Sequence, residues 1–196
     1  MKVIWVVGTP NGGTSCVAGI LHHLGVDMGD VSLEPTNREY VVFEDRRLNE
    51  YKAKNFRGYL AMRINAAGGL RRVGVKCGAW YWMEDPSPET LPVQVVMVDR
   101  PVEDSMRSSL RRHHADTRPL NELQEVRHKV GGIGEAWAAK VLLQLKIEPA
   151  LRVEFRRLLA DPRREVERIA ARLRLDPRQS QLAQAADFVN PALRHI

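Results

Sequence analysis

The residues best suited to chemistry lie near the beginning of the chain, where glycines separate an apolar run from a helical pattern. Residues 3–7 are all apolar, and residues 8–15 contain three glycines followed by Thr14 and Ser15. Glycine permits tight turns in which successive N–H groups point inward, and the start of the next helix adds partial positive charge. This loop therefore predicts a cradle for phosphate oxygens, with two hydroxyl donors beside it.

The loop differs from the Walker pattern G-x-x-x-x-G-K-[ST] at one decisive position. Gly8 and Gly13 have the correct spacing, but Thr14 stands where the lysine is expected. Two alternatives stay open: a glycine-rich turn that binds no ligand, and a P-loop nucleotide kinase or NTPase. The second is favoured by Asp99, which ends the apolar run 94–98 as a magnesium-binding aspartate would.

A second group of residues follows that same apolar run. Arg100 comes directly after it, and Ser108 lies eight residues further along a predicted helix. An arginine at the carboxyl end of a strand and a hydroxyl two helical turns later can face one crevice, where α/β sheets bind ligands. Arginine also offers phosphate a bidentate contact. A surface arginine in a strand-to-helix turn is the alternative.

The periodicity of the chain predicts the elements that must position these residues. Apolar runs predict strands at 3–7, 72–76, 94–98 and 151–155. Helical spacing predicts helices at 14–24, 43–54, 58–67, 102–113, 120–146 (with glycines weakening its centre) and 162–173. Alternating strands and helices indicate an α/β fold, a three-layer sandwich with a central, mainly parallel sheet, of the P-loop nucleoside triphosphate hydrolase-like kind.

The composition is that of one globular domain. The 196 residues are 44% hydrophobic, enough for a single core, and we expect one domain over residues 1–196. Cys16 and Cys77 show neither metal-ligand nor disulfide-framework spacing, so we expect no metal site. The apolar start is too short for a signal peptide or a membrane span, which predicts a cytoplasmic protein without a membrane partner.

The positive charge of the chain favours a small anionic ligand over nucleic acid. The formal net charge is +6, and much of it comes from adjacent arginine pairs. These pairs are scattered among acidic residues in helical stretches and do not interleave with aromatic residues. We therefore expect no nucleic-acid partner, and a basic surface that attracts a nucleotide.

The two phosphate-binding patterns resemble one family, the sulfotransferases. The loop at 8–15 with the helix after it resembles the segment that holds the 5′-phosphosulfate of 3′-phosphoadenosine-5′-phosphosulfate (PAPS). Residues 95–108 are similar to the block that holds the 3′-phosphate, and weaker likenesses occur at 43–50, 73–76 and 153–162. The resemblance, to a compact bacterial or phage-type member, implies that PAPS or its product PAP is held by Pro10, Asn11, Gly12, Gly13, Thr14, Ser15, Arg100 and Ser108.

The same resemblance implies an enzyme that transfers a sulfuryl group from PAPS to a hydroxyl or amine of a small-molecule or glycan acceptor. Asn11 stands where the family carries a basic residue, so we expect Lys76 to supply that charge and Glu44 to act as the base. Trp80 and Trp82, in a predicted loop, could line an acceptor pocket or pack in the core. A non-catalytic nucleotide-binding protein on the same fold is the remaining alternative.

Overall fold

The structure, a computed structural model, describes residues 2–31, 43–51, 55–68, 72–83, 87–114 and 123–189. The strands are β1 (Val3–Val7), β2 (Gly74–Lys76), β3 (Val93–Asp99) and β4 (Leu151–Glu154). The helices are α1 (Thr14–His23), α2 (Leu48–Tyr51), α3 (Phe56–Ala66), α4 (Val102–His114), α5 (Leu123–Lys146), α6 (Phe155–Ala160), α7 (Pro162–Arg172) and α8 (Gln179–Phe188). Short 3₁₀ helices occupy Ala79–Trp82 and Pro88–Thr90.

The four strands form one parallel sheet in the order β2-β1-β3-β4. In β1 every residue is buried, and four of its five residues are β-branched, a composition that suits a strand covered on both faces. Because all four strands run the same way, their carboxyl ends meet at one edge of the sheet. The segments that follow the strands, including the glycine loop, therefore gather at that edge.

Helices cover both faces of the sheet, and alternate residues of each strand point to opposite layers. Ile4 and Val6 of β1 belong to a core cluster shared with α1, α6, α7 and α8. Trp5 and its alternating neighbours pack on the other face against α3, α5 and the first 3₁₀ helix. The predicted α/β three-layer sandwich with a parallel sheet is thereby confirmed.

Most predicted elements agree with the structure, with exceptions at residues 43–47 and after residue 154. The helix predicted over 43–54 is wrong at its start, because residues 43–45 are irregular and α2 begins only at Leu48. Residues 52–54 lie outside the described part of the chain. Helix α5 runs without a break through its glycines, since helix geometry tolerates glycine at a modest cost. The strand predicted at 151–155 ends at Glu154, because Phe155 already begins α6, and helix α8 was not predicted.

Two negative findings apply to the described ranges. None of the helices there is both long enough and apolar enough to cross a lipid bilayer. The same residues contain no cluster of three or more histidine, cysteine or acidic side chains arranged to hold a metal ion.

Candidate functional site

The glycine loop has a left-handed backbone at two positions, and the residue types there suit that conformation. Asn11 has φ 57° and Gly13 has φ 91°, both in the left-handed region that asparagine and glycine tolerate best. The N–H of Gly12 donates to the carbonyl oxygen of Thr9 at 2.9 Å, so it closes the loop and is not directed outward. Gly13 is the N-cap of α1 and offers no side-chain cap, which leaves the first N–H groups of that helix facing the loop.

Close packing explains two of the loop glycines. A Cβ on Gly12 would lie 2.6 Å from the carbonyl oxygen of Thr9, and a Cβ on Gly13 would lie 2.3 Å from the ring of Phe155. Phe155 is the first residue of α6, directly after β4, and it is buried. The tight turn therefore depends on a contact between distant parts of the chain as well as on local geometry.

Arg100 reaches this loop from the end of β3. Its Nη1 donates to the carbonyl oxygen of Asn11 at 2.6 Å, and its guanidinium lies 5.3 Å above the ring centre of Phe155. The two segments that the sequence associates with phosphate binding are thus in direct contact, 89 residues apart in the chain. Part of the hydrogen-bonding capacity of Arg100 is used to hold the loop.

Ser108 lies on α4, two turns after Arg100, and is buried. Its Oγ has no hydrogen-bond partner among the residues that the structure describes. One turn earlier, the Oγ of Ser105 lies 3.3 Å from the Oγ1 of Thr9 in the glycine loop. Sequence reasoning missed Ser105 and Thr9. Ser105 could have been found because it precedes Ser108 by three residues and so lies on the same helix face.

Lys76 and Glu44, the predicted cation and base, form an ion pair. The Lys76 Nζ lies 2.7 Å from Glu44 Oε1, and the lysine side chain is 8% exposed whereas the glutamate is 58% exposed. Lys76 ends β2 in register with Val6 of β1, which places it beside the base of the glycine loop. Glu44 lies before α2 in irregular backbone, so it is not a first-turn helix acid as the predicted helix implied.

A buried ionic network holds the backbone next to Glu44. The carboxylate of Asp45 accepts hydrogen bonds from Arg47, from the Tyr59 hydroxyl at 2.9 Å and from Arg63 Nη1 at 2.5 Å. Arg63 also binds the main-chain and side-chain oxygens of Asp27. Burial acts to raise the pKa of Asp45, but the hydrogen bonds and the charge of Arg63 outweigh it, so this pKa is lowered. The charged carboxylate is therefore the stable form, and it fixes the segment that carries Glu44.

Aromatic side chains follow Lys76 on a 3₁₀ helix, where the sequence predicted a loop. Trp82 is buried and its Nε1 donates to the carbonyl oxygen of Ala139, which gives it a structural role. Trp80 is 43% exposed. Burial raises the pKa of Tyr81, and electrostatic interactions with Cys77 and Glu44 add to that rise. Trp80 is therefore the residue of this aromatic segment that offers the most ring surface to solvent.

Asp99, the candidate magnesium ligand, is already paired with two cations. Lys140 is buried on α5 and places its Nζ 2.5 Å from Asp99 Oδ1 and 2.9 Å from the carbonyl oxygen of Val98. Arg152 Nη1 lies 3.4 Å from the other carboxylate oxygen. These contacts give Asp99 a structural function and weigh against the kinase or NTPase alternative. Lys140 carried no signal in the sequence, because it lies in a mostly apolar helix far from the loop.

Comparisons with known proteins reveal a likeness in structure but none in sequence. A scan against protein-family models finds no match, and a search of curated protein sequences finds none either. The structure is similar to that of retinol dehydratase in complex with androsterone and the inactive cofactor PAP, with a TM-score of 0.46 and 15% sequence identity. The likeness covers 97% of this chain and 65% of that chain.

Proposed function

We propose that this protein binds PAPS at the carboxyl edge of the sheet and transfers its sulfuryl group to a hydroxyl or amine acceptor. The observation that carries the proposal is the 2.6 Å hydrogen bond from Arg100 to the carbonyl oxygen of Asn11. It brings a strand-end arginine against a glycine loop and a helix N-terminus, so that cationic and N–H donors of two segments converge. A nucleotide with phosphates at both its 5′ and 3′ positions needs two such anion sites in one crevice.

Within this proposal, the loop and the start of α1 hold the 5′-phosphosulfate, and Arg100 with Ser108 holds the 3′-phosphate. The buried, unpartnered Oγ of Ser108 supports the second assignment, because a buried hydroxyl without a partner costs free energy that a ligand oxygen could recover. Thr14 and Ser15 add hydroxyls at the first. Pro10 is exposed and Asn11 is half-buried, and both would line the entrance.

Transfer requires a proton acceptor near the acceptor hydroxyl or amine and positive charge near the departing phosphate. Glu44 and Lys76 supply these two groups, and their 2.7 Å ion pair holds them together before substrate arrives. A phosphosulfate near Lys76 would compete with Glu44 for the ammonium. Binding of PAPS would then release the carboxylate toward the acceptor, so that the base becomes available when the donor is in place.

The first test is calorimetry with PAP, and with ATP plus Mg²⁺ as the competing ligand. We expect PAP to bind without a metal, and Arg100→Lys to weaken it about 10- to 100-fold, because lysine keeps the charge but loses the bidentate geometry. Arg163→Ala is the matched control, since Arg163 lies exposed on α7 and pairs only with Glu167 among the described residues. Binding of ATP with Mg²⁺ and none of PAP would overturn the proposal.

A second test separates an enzyme from a binding protein. PAPS turnover is measured against a panel of hydroxyl and amine acceptors with wild-type protein and with Glu44→Gln. Turnover that falls in the variant supports transfer. PAP binding without turnover of any acceptor would instead favour the non-catalytic alternative, because the nucleotide site would then be present without its chemistry.

A further inference from the structure

Helix α5 carries apolar residues on the face that the rest of the described protein leaves uncovered. Its inward face carries buried side chains such as Ile133 and Leu143, and Leu143 belongs to the same core cluster as Trp5 of the sheet. On the outward side Trp137 is 48% exposed, Leu142 is 46% exposed and Leu145 is 76% exposed. A surface helix is expected to be polar on that side. We call the outward residues Gly131, Gly134, Trp137, Val141, Leu142 and Leu145 the α5 stripe; their spacing of three and four residues places them together on the helix surface.

The glycines of this helix have no explanation inside the described part of the molecule. A Cβ built on Gly131, Gly132 or Gly134 would meet no atom of the described residues within 4 Å. Each glycine costs a helix about 1 kcal/mol relative to alanine, so the fold by itself favours alanine at all three positions. Two of them, Gly131 and Gly134, lie on the stripe, where a small residue allows another backbone to approach closely.

Charged residues border the stripe in a self-complementary arrangement. Glu135 and Lys146 are both exposed and follow the same edge of the helix, with Leu142 between them. In an antiparallel pair of identical helices, residues on one edge meet the same edge of the partner. The midpoint between Glu135 and Lys146 falls beside Val141, at the centre of the exposed apolar residues. A two-fold axis there would place each glutamate opposite the lysine of the other copy.

We propose that the α5 stripe is the interface through which a second copy of this chain binds, with the two α5 helices antiparallel about a two-fold axis near Val141. In this arrangement Trp137 of each copy covers Leu145 of the other, and Gly134 lets the helices approach. Two Glu135–Lys146 pairs then flank about 17 Å of paired helix. The charge pattern selects a second copy over an unrelated apolar partner, because only an identical, reversed helix satisfies both pairs at once.

The test measures the oligomeric state of the full chain by sedimentation velocity over a range of concentrations. We expect a concentration-dependent dimer, and loss of that dimer in Leu145→Glu, whose side chain is too exposed to affect folding. Glu135→Lys and Lys146→Glu should each weaken the dimer about tenfold, since each removes two pairs and sets like charges opposite one another. The double reversal should restore it to within about threefold of wild type.

Alanine substitutions at two glycines of α5 test the interface without changing any charge. Gly134→Ala and Gly132→Ala should both raise the thermal midpoint by strengthening the helix. Only Gly134→Ala, on the stripe, should weaken the dimer, and Gly132→Ala, off the stripe, should leave it unchanged. Circular dichroism verifies that every variant is folded.

Several results would overturn the proposal. If the wild-type protein is monomeric at all concentrations, the proposal is wrong. The stripe would then have another occupant: a different protein, a lipid surface, or residues 115–122 or 190–196 of the same chain. A dimer that persists in Leu145→Glu would place the interface elsewhere. The antiparallel register would be refuted if the combined Glu135→Lys and Lys146→Glu variant dimerised more weakly than either single variant.

Discussion

Gly13 is the position where a single methyl group should disturb both the fold and the proposed nucleotide site. In Gly13→Ala the new Cβ would lie 2.3 Å, 2.4 Å and 2.8 Å from three atoms of the Phe155 ring, at a backbone φ of 91°. The ring cannot move freely, because Phe155 is buried and supports the guanidinium of Arg100 from below. The substitution therefore forces either the loop or the ring, together with Arg100, to shift.

Two costs contribute to the expected loss of stability. An L-residue in the left-handed region costs roughly 1 to 2 kcal/mol, and an extra methyl in a filled core costs about 1 to 3 kcal/mol. We expect Gly13→Ala to lower the free energy of unfolding by about 3 kcal/mol. PAP affinity should fall as well, because displacement of the Phe155 ring moves Arg100 from the loop.

Urea denaturation followed by tryptophan fluorescence measures the first quantity, and calorimetry measures the second. The matched control is Gly68→Ala. Gly68 also has positive φ, at 56°, but no described atom lies within 4 Å of the position that its Cβ would take, so it reports the backbone cost without the clash. We expect that control to cost about 1 kcal/mol and to leave PAP binding unchanged.

A double-mutant cycle with Phe155→Leu isolates the contact itself. Leucine in place of the ring makes room for the methyl group introduced at position 13. The two substitutions together should therefore cost less than the sum of their separate costs, by about 1 kcal/mol or more. The proposed clash between position 13 and Phe155 is refuted if Gly13→Ala is no more destabilising than Gly68→Ala. It is refuted equally if the two substitutions are simply additive.

Three further predictions follow from the ion pairs. Asp45→Asn should lower the free energy of unfolding by about 3 kcal/mol, because the buried Arg63 then keeps only the partly exposed carboxylate of Asp27 as a charge partner; urea denaturation that shows a loss under about 1 kcal/mol would contradict this. Since the folded-state pKa of Asp45 is below its ordinary value of 3.8, its contribution is present above that pH and is lost as the pH falls through the folded-state pKa. Wild-type stability should therefore fall more steeply on acidification below about pH 4 than that of the variant. Glu44→Gln should remove the carboxylate charge that competes with PAP for Lys76, so that PAP binds a few-fold more tightly in calorimetry while PAPS turnover drops about 100-fold or more; unchanged turnover would exclude Glu44 as the base. Asp99→Asn should destabilise the protein by about 3 kcal/mol, with or without Mg²⁺, and a rise in the wild-type thermal midpoint on adding Mg²⁺ would argue for the metal-dependent alternative instead.

The sheet and its main helices could be predicted from the sequence because their signals are local. The apolar run of β1, the glycines after it and the helical spacing of α1 appear within two dozen residues. Pro162 after Asp161 correctly predicts the start of α7, where the Asp161 carboxylate accepts a hydrogen bond from the N–H of Arg164. The predicted start of the 43–54 helix is wrong for both local and non-local reasons. Phe43 has a left-handed φ of 54°, and the Asp45 carboxylate accepts hydrogen bonds from the N–H of Arg47 and from the distant Arg63, so the backbone before Leu48 is not helical.

Strand positions, the glycine loop and the residue types suited to phosphate could all be predicted from the chain, because periodicity and turn chemistry depend on neighbours a few positions apart. The contact of Arg100 with Asn11, the pairing of Lys76 with Glu44 and the pairing of Asp99 with Lys140 instead arise from the folded arrangement of the chain. These pairs are separated by 89, 32 and 41 residues. Their formation depends on strand order and on which helix covers each face of the sheet, and no local pattern in the chain encodes either.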